Sequence, residues 1–215
     1  MNIGIVLAGG VGSRFGSNVP KQYLTINGKE VIAYSIEALQ NASSIDKIIV
    51  VARGEQKTRL AEKYDGVITV EGGDSRNESL YNALSYIAEN HTCENVIILE
   101  AARPMITAKI VDTYLEKLKE YDAAITGQKI VASLGCFHAH VVDRSEYYLI
   151  EAPEAFRFKL LYDHFDKNSK ITATNQQLPE GSKLYINFDF TTNLKITYPM
   201  DLSYCEALKK NEKEL

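Results

Sequence analysis

Short apolar runs alternate along the chain with segments whose apolar positions recur every three to four residues. Residues 3–7, 47–52, 67–70, 95–99 and 123–126 read as strands, and 31–41, 55–64, 75–90 and 108–120 carry helical spacing. The second and fourth strands are nearly continuously apolar, as strands in a parallel sheet covered on both faces are. This alternation predicts βαβ units, hence an α/β fold with a Rossmann-like, mostly parallel sheet and helices on both faces. Ligands of such sheets bind at the carboxyl ends of the strands. Those ends are the 9–16 loop, the loop at Arg53, the loop at Gly72 and Gly73, and the 100–104 loop.

The pattern changes after Gly127. Residues 129–133 and 136–142 alternate more loosely and read as a hairpin around Gly135. Residues 154–165 read as helical, 183–187 and 194–197 as strands, and a last helix follows Pro199. The expectation is one domain over 1–215, with 128–151 as an inserted, protruding β-arm. That arm carries Val131, Leu134, Phe137, Val141 and Val142, enough apolar surface to call for a partner. The closing "KKNEKEL" reads as a charged tail.

The 215 residues carry a formal charge of −4, so no global basic field points to nucleic acid. The tyrosines are scattered and form no stacking platform. No apolar run approaches the ~20 residues of a membrane span, and the opening "MNIGIVLAGG" reads as a strand entering glycines, not as a signal peptide. Cys93, Cys136 and Cys205 are too few and too dispersed for a disulfide framework, which fits a reducing, cytoplasmic setting. His138 and His140 alternate, but no third ligand lies near them in sequence.

The chemistry concentrates in "GIVLAGGVGSRFGSNVPKQYL", residues 4–24. It lacks the G-x-x-x-x-G-K-[ST] spacing of a P-loop, and Phe15 stands where a dinucleotide fingerprint has its third glycine. A nicotinamide enzyme is the runner-up, with Arg53 placed to hold a 2′-phosphate, but no Tyr-x-x-x-Lys pair supports it. Gly9, Gly10 and Gly12 let backbone N–H groups curl around phosphate oxygens, and Arg14 and Lys21 add charge-assisted contacts. That combination suits a triphosphate whose leaving group is pyrophosphate. The alternative is a tight strand–helix turn with two solvated cations.

"LAGGVGSRFGSNVPKQYLTINGKEVIAYSIEAL" (7–39) resembles the opening of the cytidylyltransferases that act on methylerythritol phosphate and on ribitol phosphate. "GGDSRNESLYNAL" (72–84) is similar to that family's G-G-x-x-R-x-x-S motif, "AARP" (101–104) to its fourth-strand motif, "VDRSEYYLIEAPEAFR" (142–157) to the stretch before its long helix, and "NLKITYPMDL" (193–202) to its C-terminal motif. The motifs occur in the family's order over nearly the whole chain.

The resemblance implies CTP and a small phosphorylated acceptor as substrates, with Mg²⁺ bridging phosphate oxygens. A substrate phosphate oxygen would attack the α-phosphorus of CTP, and the protein would align two anions and neutralise charge. By resemblance Arg14, Lys21 and Lys195 are catalytic, although Lys195 alone would read as a surface lysine. Leu7, Ala8, Gly9, Gly10, Gly12, Gly73, Asp74, Arg76, Ser79, Ala101 and Arg103 would hold the nucleotide, the 73–79 group reading the base. Asp74 or Ser75 also reads as a helix cap, and Arg103 as a structural ion pair. Ser133 and Arg144 would meet the acceptor, from an arm that crosses a two-fold axis into a homodimer partner's site.

The chain departs from the pattern in places. Leu99 and Glu100 stand where the family carries His-Asp, so Glu100 becomes a longer carboxylate for acceptor or metal. "EAPEAF" (151–156) replaces Gln-Thr-Pro-Gln-x-Phe, and "ITATNQQL" (171–178) replaces an acidic stretch. The donor half is thus kept and the acceptor half altered, which favours a polyol phosphate such as D-ribitol 5-phosphate, whose product feeds cell-surface polymers. The methylerythritol enzyme of isoprenoid synthesis and a related enzyme for a non-polyol phosphate or phosphonate are the alternatives. A non-catalytic nucleotide-binding module would have lost the loop cations, and Arg14, Lys21 and Lys195 are all present.

Overall fold

The computed structural model describes residues 1–10, 15–16, 19–138 and 140–214. Gly12 and Arg14 therefore lie outside the described residues. Among those described, seven strands form one sheet. Four of them are β1 (Asn2–Leu7), β4 (Lys47–Ala52), β5 (Val67–Glu71) and β6 (Asn95–Glu100). The others are β7 (Ala123–Lys129), β8 (Tyr148–Arg157) and β9 (Leu184–Asn187). The order is β5-β4-β1-β6-β8-β7-β9. β1, β4, β5 and β6 pair in parallel, β8 runs antiparallel to both β6 and β7, and β9 is parallel to β7. A two-stranded hairpin, β2 (Thr25–Ile26) with β3 (Lys29–Glu30), stands apart from this sheet.

Helices α1 (Val31–Gln40), α2 (Glu55–Lys63), α3 (Arg76–Asn90) and α4 (Ala108–Lys117) fall where the spacing predicts them. The strands send alternate residues to opposite faces. Val6, Val50, Ile97 and Leu99 pack with Ile36 and Leu39 of α1 and Tyr114 of α4. Ile5, Ile49, Val51 and Ile98 pack on the other face with Leu80 and Leu84 of α3. Burying both faces is why β4 and β6 lack polar alternation.

Three expectations are corrected. Residues 154–165 are not one helix. The segment 154–157 completes β8, and only α5 (Phe158–His164) is helical. Ala and Glu favour helix, but here Ala155 and Phe156 fill the sheet core, and tertiary burial overrides propensity. Residues 194–197 form no ladder among the described residues; Ile196 N–H instead donates to Ala102 O at 2.9 Å. The hairpin expected around Gly135 is also absent among the described residues. β7 and β8 instead carry their own ladder past the ends of their pairing with β9 and β6, through Gly127↔Ile150, Gln128↔Leu149 and Lys129↔Tyr148. The described residues between those strands carry no strand, and Val131, Phe137 and Val141 there are highly exposed.

A small third cluster joins Ile26, Val31, Ile196 and Cys205 of α6 (Pro199–Glu214). It anchors the segment bearing Lys195 against the hairpin and α1, and so brings a residue near the end of the chain to the first strand's loop.

Candidate active site

A cleft of about 400 Å³ opens at the carboxyl ends of β1, β4, β5 and β6. Of the residues singled out in the sequence, Leu7, Ala8, Gly9, Gly10, Lys21, Gly73, Asp74, Arg76, Ser79, Glu100, Ala101 and Lys195 line it. Ser133 and Arg144 belong to the exposed arm and are not among the lining residues; Arg144 Nη1 donates instead to Val131 O. Arg103 is buried just behind the cleft wall.

The glycine loop is tied to Lys21 by Gln22, which opens no motif of its own. Gln22 is buried, and its Nε2 donates to Ala8 O at 2.7 Å and to Gly10 O at 2.8 Å. The sequence does not single out Gln22, because its hydrogen bonds go to backbone carbonyls, which leave no residue pattern. Arg53 also lines the cleft. Its position at the end of β4 marked it in the sequence, though for a different cofactor.

Ser79 sits one turn into α3, where its Oγ accepts from Gly73 N–H at 3.0 Å and donates to Gly73 O at 3.4 Å. Ser75 is the N-cap, accepting from Glu78 N–H at 3.0 Å, so the capping reading and the loop's placement hold together.

Below the loop lies a chain of alternating charges. Glu100 Oε2 is 2.8 Å from Lys195 Nζ and 3.0 Å from Arg103 Nε, and its Oε1 is 3.7 Å from Arg76 Nε. Arg103 continues to Glu151 at 3.1 Å, and Arg76 to Glu154 at 3.4 Å. Burial pushes the Glu100 carboxyl up, but Lys195, Arg103 and Arg76 more than offset that and hold it at about 2. Burial likewise pushes Glu154 up, and there the single nearby guanidinium of Arg76 does not compensate. The two glutamates at 151 and 154, where the pattern has glutamines, pair with Arg103 and Arg76 from behind. Both arginines belong to this ion-pair network, Arg76 lining the cleft and Arg103 buried behind it.

Among the described residues no three His, Cys, Asp or Glu side chains cluster to hold a metal. The cleft offers an ion one recessed carboxylate, Glu100, whose oxygens already face three cations. That donor set suits magnesium only as an ion carried largely by phosphate oxygens and water.

The family model for 2-C-methyl-D-erythritol 4-phosphate cytidylyltransferase matches residues 3–211. A protein of that name from Clostridium beijerinckii is 36% identical, covering 96% of this chain and 97% of its own. One from Clostridium perfringens (strain SM101 / Type A) is 31% identical, covering 97% of this chain and 98% of its own. The crystal structure of 4-diphosphocytidyl-2C-methyl-D-erythritol synthase from Anaerococcus prevotii superposes with a TM-score of 0.83 at 23% identity, over 97% of this chain and 96% of that one. It shares the Rossmann-like α/β fold.

Proposed function

The chain belongs to the 2-C-methyl-D-erythritol 4-phosphate cytidylyltransferase family and is a nucleotidyltransferase, and we propose that it moves CMP from CTP to 2-C-methyl-D-erythritol 4-phosphate with release of pyrophosphate. The observation that carries this reading is the convergence of Lys21, Lys195 and the 73–79 loop on one cleft. The names of the relatives favour this acceptor over the ribitol 5-phosphate that the altered acceptor half suggests.

An oxygen of the acceptor phosphate attacks the α-phosphorus. The bond from that phosphorus to the bridging oxygen breaks, and pyrophosphate leaves with the electron pair. No protein nucleophile is required; alignment and charge neutralisation suffice. Lys21 and Lys195 supply positive charge at the reacting phosphate, joined by Arg14 of the glycine loop. Backbone groups of residues 7–10 and Gly12 cradle the triphosphate. Gly73, Asp74 and Ser79 read the base, Ala101 borders the ribose, and Arg76 and Arg103 hold the wall. Glu100 positions Lys195 while leaving that lysine one face for phosphate. Glu100 would be the cleft carboxylate that helps to hold a magnesium ion, which would supply positive charge to offset that of the phosphates.

One domain over 1–215 with an arm at 128–151, and a homodimer through that arm, complete the reading. The exposed Val131, Phe137 and Val141 support it. Ser133 and Arg144 would then serve the acceptor site of a neighbouring subunit. A cytoplasmic setting accords with three cysteines that are free thiols. Among the described residues no helix is long and apolar enough to cross a membrane.

The test is pyrophosphate release with CTP against 2-C-methyl-D-erythritol 4-phosphate, ribitol 5-phosphate and glycerol phosphate. The first is expected to give the highest kcat/KM. Absence of turnover with CTP and every acceptor overturns the reading; a preference for ribitol 5-phosphate overturns only the acceptor.

A further inference from the structure

The peptide joining Gly73 to Asp74 is gripped from opposite sides. Its carbonyl oxygen accepts from Arg53 Nη2 and, at 3.4 Å, from Ser79 Oγ, and both of those side chains line the cleft. Its N–H points the other way, as a trans peptide requires, and donates to Glu78 Oε2 at 2.7 Å. Glu78 lies outside the cleft lining. The peptide therefore turns an acceptor, not a donor, toward the ligand.

The Glu78 contact departs from the usual helix start. In a capping box the glutamate three residues after the cap returns to the N–H of the cap residue itself. Here the cap is Ser75, and Glu78 reaches one residue further back, to Asp74. Its stem crosses directly over Gly73: a Cβ built there would lie 2.3 Å from Glu78 Cγ and 2.6 Å from Glu78 Cβ. Glycine is what lets the stem pass, but glycine also makes the adjoining peptide easy to rotate. Something must hold it.

Cytosine and uracil differ at this level of detail. The 4-amino group of cytosine donates, whereas the 4-oxo group of uracil accepts. A fixed inward carbonyl suits the first and opposes the second. A rotated peptide would offer an N–H and reverse the preference. We propose that Glu78 is a specificity-determining positioning residue, which locks the peptide between Gly73 and Asp74 with its carbonyl toward the cleft and so selects cytosine over uracil without touching the base. Arg53 holds the same peptide from the cleft side. The inference rests on the CTP reading above.

The experiment measures kcat/KM for CTP and for UTP in wild type, Glu78→Ala and Glu78→Gln, with thermal unfolding alongside. Glu78→Ala is expected to lower the CTP/UTP ratio about tenfold, the scale of one charge-assisted hydrogen bond. Glu78→Gln keeps an acceptor on the same stem and is expected to recover most of the ratio. If Glu78→Ala fails to fold, Glu78→Met keeps the stem over Gly73 without the acceptor, and the same fall is expected of it. An unchanged ratio in the acceptor-less variants overturns the proposal, including the case in which both nucleotides weaken equally, as a purely structural role would have it. Equal loss of the ratio in the glutamine variant also overturns it, because charge rather than peptide orientation would then be at work. Wild type that does not favour CTP would instead overturn the nucleotide reading on which the proposal rests.

Discussion

Lys195 Nζ lies 2.8 Å from Glu100 Oε2, joining a segment near the end of the chain to the tip of the central strand β6. Glu100 is held at about 2 against an ordinary 4.5. A carboxyl depressed in this way contributes stability above its unfolded value, and the contribution is lost as pH falls from 4.5 toward 2. The size is on the order of 3 kcal/mol. Glu154 is raised, so its contribution has the opposite sign and declines as pH rises through its folded value. Thermal unfolding across pH checks both. The deficit of Glu100→Gln relative to wild type is expected to grow from pH 2 to 4.5, and that of Glu154→Gln to shrink as pH rises above 4.5. Parallel curves for the two variants would contradict the assignment.

Lys21→Ala and Lys195→Ala are each expected to lower kcat about 100-fold or more, equivalent to roughly 3 kcal/mol of transition-state stabilisation. Both side chains line the cleft, and Lys195 is about one-third exposed. Loss of Lys195 leaves Glu100 still paired to Arg103 at 3.0 Å, so folding survives. Steady-state kinetics at saturating CTP and magnesium decides; a near-normal kcat in either variant removes that lysine from the chemistry.

Gln22 offers a separate test of how the glycine loop is held. Gln22→Leu keeps the bulk but strips two donors from Ala8 O and Gly10 O. A buried carbonyl left unpaired costs about 1–3 kcal/mol, or roughly 4–8 °C in Tm at the middle of that range for a chain of this size. The KM for CTP is expected to rise more than kcat falls, since the loop is loosened and the lysines stay. A lower Tm with unchanged KM would make Gln22 a packing residue only.

How far such residues were visible in advance depended on whether local pattern or remote partners decided their structure. β1, β4, β5 and β6 are buried on one or both faces by their own helices, so their apolar runs carry the signal. β8 is different. Ala152, Glu154 and Ala155 have no strand preference, and the strand exists because β6 and β7 flank it on both sides. Leu194, Lys195 and Ile196 read as a strand, but the segment is held by the bond from Ile196 N–H to Ala102 O and by the packing of Ile196 against Ile26 and Val31, which no local pattern shows. Glu151 and Glu154 read as departures from a motif, and only their pairing with Arg103 and Arg76 shows that they balance the wall's charge. Gln22 and Glu78 act through backbone groups, which leave no residue pattern.

The exposed arm bears on how many chains make one site. Val131, Phe137 and Val141 are 85%, 103% and 83% exposed, a cost that burial against a second copy would relieve. A two-fold contact is self-complementary, so an arm that enters the neighbour's cleft completes both sites at once. In the proposed reading Arg144 would supply the charge for an acceptor phosphate; its guanidinium here donates to the Val131 carbonyl. On the proposed shared site, Lys21→Ala is expected to disable the cleft of its own chain, and Arg144→Ala the cleft that its arm would enter. Neither homodimer should turn over. After subunit exchange, a mixed dimer holds both lesions in one site and none in the other, so up to about half of one wild-type dimer's activity is expected to return. Mixed dimers verified by mass and still inactive would refute the shared site, as would a monomer at working concentration, while the cytidylyl transfer reaction itself would stand.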